Sequence, residues 1–261
     1  MIKDAVFCTA GMQHFGKQVA SILNWPLFID TPVGHVDRVL IIGMYDPPYY
    51  GHTIEMTQFA KERVIQWCGT DVLMIVESRV LPFATHICDG ENLQRELREK
   101  GIEASVVYMP TLIHPQPNKP STGEKVLAFY SGANPEQYGA SVVSAAMECL
   151  PDWKLFSYKF GQFDKEQMLE IVNECTAYIR LTKHDGGMVS AREFLEAGKP
   201  AIVTQDLKYA KVVSPDNLVQ VIRAIKKAGE AGIDMEAHEY YKEFNSTERY
   251  LNDLRGAGVI E

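Results

Sequence analysis

The residues best suited to chemistry lie in one loop, where two acids flank a pair of glycines. Asp185 and Glu193 are separated by seven residues, and Gly186 and Gly187 directly follow the first acid; a helix is predicted over 191–197. A glycine loop at the start of a helix presents free N–H groups and the positive end of the helix dipole, which attract a phosphate. Glu193, inside the helix, can accept hydrogen bonds from paired hydroxyls such as those of a ribose. The loop therefore predicts a site for a phosphate-bearing ligand.

Two sets of apolar segments that alternate with helical patterns must position this loop. The predicted strands cover 5–9, 26–30, 38–43, 71–77 and 104–109, then 125–130, 153–158, 176–181, 200–204 and 211–213. The predicted helices cover 15–23, 53–67, 91–100, 137–149, 165–175, 191–197, 217–228 and 235–254. Strands that read as continuous apolar runs and alternate with helices are typical of a parallel sheet covered on both faces.

A proline-rich stretch separates the two sets. It contains Pro110, Pro115, Pro117, Pro120 and Gly123, a composition typical of a linker. We therefore predict an α/β fold of two Rossmann-like domains, residues 1–115 and 124–234. Ligands of open α/β sheets bind beyond the carboxyl ends of the strands, so we expect the site in the cleft between the two domains.

Residues 182–204, which read TKHDGGMVSAREFLEAGKPAIVT, resemble the donor-site signature of retaining glycosyltransferases of the GT-B fold. That signature has two acids separated by seven residues, a helix ending in G-x-P and an apolar strand. The resemblance implies that Glu193 binds the ribose of a nucleotide-sugar and that Asp185 lies beside the transferred sugar. It also implies that residues 235–261 form a C-terminal helix that packs on the first domain.

The resemblance further implies a diphosphate site, where the sequence departs from the family. The loop residues expected to hold the diphosphate are Gly186, Gly187, Met188 and Val189. Family members add an Arg and a Lys after the first strand of the second domain, but residues 131–139 read SGANPEQYG and contain neither. Gly132 in that loop is expected to let the donor approach. The missing charge could come from Lys183, Arg192, His184 or Arg79, or from a metal ion, and the sequence leaves these open.

The acceptor is expected at the first domain. The loop over residues 44–52 contains three tyrosines that could stack on a sugar or a base, and Asp46 and His52, either of which could orient an acceptor hydroxyl. A rigid surface loop ahead of a helix explains the same residues equally well. Gly11, after the first strand, would admit donor or acceptor, or would simply form a tight turn. Arg79 ends the fourth predicted strand as a candidate phosphate ligand, with Glu77 as its ion-pair partner.

These expectations describe a hexosyltransferase that moves a sugar from a UDP- or GDP-sugar to an acceptor hydroxyl with retention. In the family the leaving diphosphate takes the acceptor proton, so catalysis is mainly electrostatic and needs no strong protein base. The donor is a substrate, and no separate cofactor is expected. The acceptor is expected to be a glycan or a modified nucleic-acid base, because short relatives include bacterial polysaccharide and lipid glycosyltransferases and viral enzymes that glycosylate DNA bases. Two alternatives remain: an inactive nucleotide-sugar-binding protein, and a non-transferring enzyme such as an epimerase.

Composition excludes several other classes. The 261 residues are 46% hydrophobic and 23% charged, with a formal net charge of −8. No apolar run approaches the ~18 residues of a membrane span, and no signal peptide is visible, so we expect a cytoplasmic protein (host cytoplasm if it is viral). The acidic balance argues against non-specific binding to duplex DNA. The five cysteines are odd in number and widely spaced, which predicts buried thiols rather than disulfides or a zinc site.

Overall fold

Contacts divide the chain into two compact units, each with one sheet. The computed structural model describes residues 2–45, 51–75, 83–132, 134–159 and 161–261. The first unit comprises Met1–Pro110, His184–Gly187 and Thr247–Glu261, and the second comprises Thr111–Lys183 and Met188–Ser246. Both sheets are parallel, as the apolar runs predicted.

Six strands form the sheet of the first unit. They are β1 Asp4–Cys8, β2 Leu27–Ile29, β3 Val36–Ile42, β4 Ala60–Trp67, β5 Thr85–Cys88 and β6 Ser105–Val106. Their order is β2-β1-β3-β4-β5-β6, with every neighbouring pair parallel. The helices α1 Gln13–Leu23, α2 Gly51–Met56 and α3 Glu91–Glu99 connect these strands. Phe7, Ile41 and Trp67 lie in the core of this unit.

Two neighbouring predictions in the first unit are wrong. The sequence predicts a helix over 53–67, but α2 ends at Met56 and β4 occupies Ala60–Trp67. Ala, Lys, Glu and Arg at the start of β4 are good helix formers, yet the last four residues of the strand are buried between neighbours in the sheet. The sequence then predicts a strand over 71–77, but the structure has a 3₁₀ helix at Val72–Met74, capped by Asp71, and residues 76 and 77 lie outside the described residues. β5 was not predicted.

Five strands form the sheet of the second unit, and all five were predicted. They are β7 Lys125–Tyr130, β8 Trp153–Tyr158, β9 Ala177–Arg180, β10 Ala201–Val203 and β11 Lys211–Val212, in the order β11-β10-β9-β7-β8. The helices are α4 Ala140–Glu148, α5 Lys165–Glu174, α6 Val189–Glu196, α7 Leu218–Glu230 and α8 Met235–Phe244, and a 3₁₀ helix at Pro135–Tyr138 precedes α4. From β7 the chain adds β8 on one side and β9 to β11 on the other, so the strand order reverses between β7 and β9.

The single helix predicted over 235–254 is two helices in the structure. After α8, a second helix, α9, covers Thr247–Gly256. Asn245 lies at the junction, is 1% exposed, and donates a hydrogen bond to Glu196 in α6. The break between α8 and α9 therefore lies at this buried polar contact. α8 belongs to the second unit and α9 to the first, where Tyr250 donates to Gln66.

The cysteines follow the predicted pattern with one exception. Cys8, Cys88 and Cys175 are buried, and burial raises the pKa of each thiol to about 12. Cys68 is half-buried. Cys149 is exposed, so the expectation of a buried thiol is wrong there; the residue is the C-cap of α4. Within the described ranges, no helix is long and apolar enough to cross a membrane.

Candidate functional site

The second sheet reverses its strand order between β7 and β9, and open α/β sheets bind ligands at such a point. β7 ends at Tyr130 and β9 ends at Arg180, side by side in the sheet. The connection after β9 leads to α6, and the one after β7 leads to the 3₁₀ helix. The two connections meet where the backbone N–H of Leu181 donates to the carbonyl of Tyr138 at 3.3 Å.

The N-terminus of α6 carries no side-chain cap. Met188 occupies the N-cap position with φ 49°, in the left-handed region, and its side chain makes no capping hydrogen bond. The first N–H groups of a helix have no partner within the helix, so Val189 and the residues after it offer donors at this end. This is the arrangement that favours a bound anion, and it contains the predicted diphosphate ligands Met188 and Val189.

Glu193 lies inside α6 and is 2% exposed. Its Oε1 accepts hydrogen bonds from the backbone N–H groups of Leu112, at 2.9 Å, and Ile113, at 3.3 Å. Burial raises the pKa of this carboxyl to about 7, and the two backbone donors only partly oppose that rise. The predicted ribose ligand is therefore a buried acid whose surroundings favour the protonated form, with one oxygen bonded to residues of the linker.

A second buried acid lies one turn further along α6. Glu196 is 2% exposed; its Oε1 lies 3.0 Å from His114 Nδ1, and its Oε2 accepts from Asn245 Nδ2 at 2.6 Å. Arg192 is fully buried and donates through Nη1 to Asn245 Oδ1 at 3.3 Å. The structure thus places Arg192, a candidate for the missing diphosphate charge, inside the second unit. Sequence reasoning missed the Glu196 network, although an acid three residues after Glu193 shares its helix face.

Arg180 brings a positive charge to the switch point, and sequence reasoning missed it. Its guanidinium carbon lies 4.5 Å from the ring centre of Tyr130 and 4.8 Å from that of Tyr138. Gly132 has φ 58°, and a Cβ there would lie 2.1 Å from the Tyr138 ring. The glycine therefore makes room for this tyrosine. An arginine near the end of a predicted strand, just before the predicted ligand loop, was the available signal.

Lys183, the other nearby candidate cation, lies at the surface. Its Nζ is 3.1 Å from Asp216 Oδ2, and both side chains are 75% exposed. Exposed pairs of this kind contribute little to stability, so the lysine can exchange Asp216 for another anion at small cost.

The two signature glycines pack tightly within the first unit. A Cβ on Gly186 would lie 2.4 Å from the carbonyl oxygen of Cys68, and one on Gly187 would lie 2.1 Å from Asp89 Oδ1. Asp185, 6% exposed, accepts a hydrogen bond from the N–H of Gly186 at 2.9 Å. Both positions therefore favour glycine, because a Cβ at either would clash with its neighbour. The carboxylate of Asp89 lies directly against Gly187.

His184 binds two acceptors in the first unit. Its Nε2 donates to the carbonyl oxygen of Gly69 at 2.9 Å, and its Nδ1 lies 2.9 Å from Glu96 Oε2 on α3. The ring thus anchors the start of the segment 184–187 between α3 and the loop after β4. Its charge, when present, is paired with Glu96.

His52 and Gly11 lie near one another at the carboxyl edge of the first sheet. His52 Nε2 is 3.3 Å from Asp30 Oδ1, and Asp30 Oδ2 accepts from the N–H of Ala10 at 2.8 Å. A Cβ on Gly11 would meet nothing within 4 Å. Sequence reasoning missed Asp30, which directly follows β2. Asp46 and the tyrosines at 49 and 50 lie outside the described residues, as do Glu77 and Arg79.

A metal ion was one of the open sources of positive charge. In the part of the chain that the structure describes, no group of three or more His, Cys, Asp or Glu side chains could hold one.

Comparison with known proteins identifies the fold. No family model matches the chain, and no curated protein is similar to it in sequence. TarM of S. aureus, solved with UDP, fondaparinux and alpha-GlcNAc-glycerol, is similar with a TM-score of 0.64 at 13% identity, over 84% of this chain and 55% of TarM. Sucrose-phosphate synthase of Thermosynechococcus elongatus gives 0.62 at 11% identity, over 98% and 96%. The lipopolysaccharide outer core galactosyltransferase WaaB gives 0.61 at 10% identity, over 97% and 98%.

These similarities confirm the predicted fold. The chain has the GT-B fold of glycosyltransferases. It spans about half the length of TarM and nearly the whole length of the other two proteins.

Proposed function

We propose that this protein transfers a sugar from a nucleoside-diphosphate donor, a UDP- or GDP-sugar, to an acceptor hydroxyl with retention. The observation that carries the proposal is the acid–glycine connection from β9 to the uncapped N-terminus of α6, at the switch point of the second sheet. Backbone N–H groups at a helix N-terminus are suited to stabilising a departing diphosphate as negative charge develops on it.

The site residues have distinct proposed roles. Glu193 Oε1 is bonded to the linker, so Oε2 is the oxygen that we assign to the ribose hydroxyls. Asp185 is placed beside the transferred sugar, as the GT-B resemblance implies. His52, oriented by Asp30, is assigned to an acceptor hydroxyl. The acceptor class is a glycan or a modified nucleic-acid base.

The proposed chemistry needs no protein base. The bond between the anomeric carbon and the diphosphate oxygen breaks, and the acceptor oxygen forms its bond on the same face of the sugar. The acceptor proton passes to the leaving diphosphate. The protein contributes orientation and electrostatic stabilisation.

One observation favours a second candidate, a nucleotide-sugar-binding protein that transfers nothing. Glu193 already accepts two backbone hydrogen bonds, and the Asp89 carboxylate lies against Gly187, where the diphosphate is proposed. A negative charge at that position opposes the additional charge that develops on a departing diphosphate, so it disfavours transfer more than it disfavours binding of the intact donor. Tight binding without release of sugar would fit this second function.

A thermal-shift screen tests the proposal. A ligand that binds only the native state at 100 times its Kd stabilises it by about 2.7 kcal/mol, which raises the Tm of a domain of this size by several degrees. We expect a shift with UDP or GDP and with the corresponding sugar donors. The absence of a shift with every nucleotide would overturn both candidate functions. Single-turnover assays with the shifting donor then distinguish them, since only a transferase releases the sugar or passes it to an acceptor.

A further inference from the structure

His114 is a titratable side chain that the proposed function has not used. It lies in the segment 111–115, which forms neither a helix nor a strand, so the path of this segment depends on contacts with other elements. His114 Nδ1 lies 3.0 Å from Glu196 Oε1 on α6. The histidine side chain is 51% exposed and the acid is 2% exposed, so the contact ties an accessible residue to the core.

Glu196 is itself held in place. Its other oxygen, Oε2, accepts from Asn245 Nδ2 at 2.6 Å, and Asn245 Oδ1 accepts from Arg192 Nη1 at 3.3 Å. All three of these side chains are buried. The Oε1 of Glu196 therefore has a fixed position, and it fixes His114 in turn.

The two residues before His114 hold the acid that we assign to the ribose. The N–H groups of Leu112 and Ile113 donate to Glu193 Oε1 at 2.9 and 3.3 Å. Three consecutive residues, 112 to 114, thus bind two acids that lie three positions apart on α6. Burial raises the pKa of Glu193, and the two backbone donors oppose that rise. They favour the carboxylate form, which is the stronger acceptor for ribose hydroxyls.

The charges around His114 favour its protonated form. The hydrogen bond to Glu196 raises the pKa of His114, and the charges of Glu196 and Glu193 add to that rise. Burial and the charge of Lys165 oppose it. An imidazolium and a carboxylate form a charge-assisted hydrogen bond, which is stronger than a neutral one. The pair is therefore suited to holding the residues that precede it.

We propose that His114 is a positioning residue for the ribose contact of Glu193. Its pairing with Glu196 fixes the segment whose N–H groups hold the Glu193 carboxylate in the orientation that binds the ribose. This inference rests on the proposed function and adds a residue that acts on the same site without touching the donor. Loss of the pair should weaken the contact with the ribose hydroxyls and leave the rest of nucleotide binding unchanged.

Calorimetry with nucleotides that lack the ribose hydroxyls tests the assignment. UDP and GDP are each compared with their 2′,3′-dideoxy forms, and the ratio of the two affinities measures the contact with the hydroxyls. Loss of a hydrogen bond to a charged group should make that ratio about 10- to 100-fold in wild type. In H114A we expect the ratio to fall several-fold, with the affinity for the dideoxy form unchanged.

Two further variants complete the comparison. H114N keeps an N–H donor for Glu196 and should restore most of the ratio. The control is H35A, because His35 is an exposed histidine of the first unit; it should bind both forms as wild type does.

The protein without nucleotide supplies a second measurement. In an NMR titration, the amides of Leu112 and Ile113 should report the ionisation of Glu193 at a pKa of about 7 in wild type. H114A and H114N both lose the imidazole charge, so the difference between them reports the hydrogen bond alone. Weaker donation by the two amides should raise the pKa of Glu193 more in H114A than in H114N.

Each outcome decides the assignment. Equal ratios in wild type and H114A would overturn it, as would equal pKa values of Glu193 in H114A and H114N. Equal losses of affinity for both nucleotide forms in H114A would show that His114 only supports the fold. If wild type binds UDP or GDP no better than the dideoxy form, the ribose role of Glu193 fails. If wild type binds neither nucleotide, the proposed function itself fails, and in both of these cases this inference fails with it.

Discussion

Replacing Glu193 by Gln should change how the stability of the protein depends on pH. The native carboxyl has a pKa of about 7, raised from 4.5 chiefly by burial. Between those two values the unfolded chain has lost the proton while the native state keeps it, so stability falls as pH rises. The stabilisation is fully present below pH 4.5 and is lost as pH rises through 7. At 1.36 kcal/mol per pKa unit, the fall amounts to about 3 kcal/mol.

The glutamine of E193Q carries no titratable proton and keeps an oxygen that can accept from Leu112 and Ile113. Relative to wild type, the variant should therefore gain about 3 kcal/mol between pH 4.5 and pH 8. The assay is denaturant unfolding of both proteins across that range, because subtracting the two profiles cancels the titrating groups that do not interact with Glu193. E170Q is the matched control, since Glu170 is an exposed acid on α5, and its profile should follow wild type. A flat difference between E193Q and wild type would refute the reasoning.

Two more changes test the packing of Gly187 against Asp89 and the pairing of His114 with Glu196. G187A would bring a Cβ to 2.1 Å from Asp89 and should cost about 1–3 kcal/mol of unfolding free energy. The control is G34A, where a Cβ meets nothing within 4 Å, and this variant should lose little stability. Equal losses in the two variants would contradict the close packing of Gly187 against Asp89. The hydrogen bond to Glu196 raises the pKa of His114, so this pair stabilises the fold below the unfolded pKa of histidine and the benefit is lost as pH rises through the native value. H114Q should thus be more destabilising at pH 6 than at pH 9, and a pH-independent loss of stability would count against the pairing.

The central strands of the second unit were predictable because they are apolar and buried, as in β9 and β10, where only Arg180 is not fully buried. β7, β9 and β10 appear in the sequence as apolar runs between turn signals, whereas β8 contains a lysine and a serine and both residues of β11 are exposed. The same reasoning failed over residues 53–75. β4 begins with the charged residues of AKER, and its strand conformation is stabilised by pairing with its neighbours β3 and β5. Burial inside a sheet is a property of the folded chain and outweighs local helix propensity.

The candidate site divides in a similar way. The acids and glycines of the loop were predictable because they are close together in the sequence. Arg180 could be interpreted only from its contact with the ring of Tyr138, and Asp30 only from its contact with His52. The position of Asp89 against Gly187 joins residues almost a hundred positions apart, which spacing alone does not reveal. Glu193 was predicted as a ligand, but its hydrogen bonds to the linker depend on how the backbone of Leu112 and Ile113 is placed.

The order of the two units along the chain has a consequence for folding during synthesis. The first unit is completed by Thr247–Glu261, whose Tyr250 donates to Gln66. A ribosome adds about 5–20 residues per second, so the strands of the first unit wait roughly ten seconds for this segment while the whole second unit is made. The half that is translated first is therefore the half that matures last, and Gln66 stays without its tyrosine partner throughout that interval.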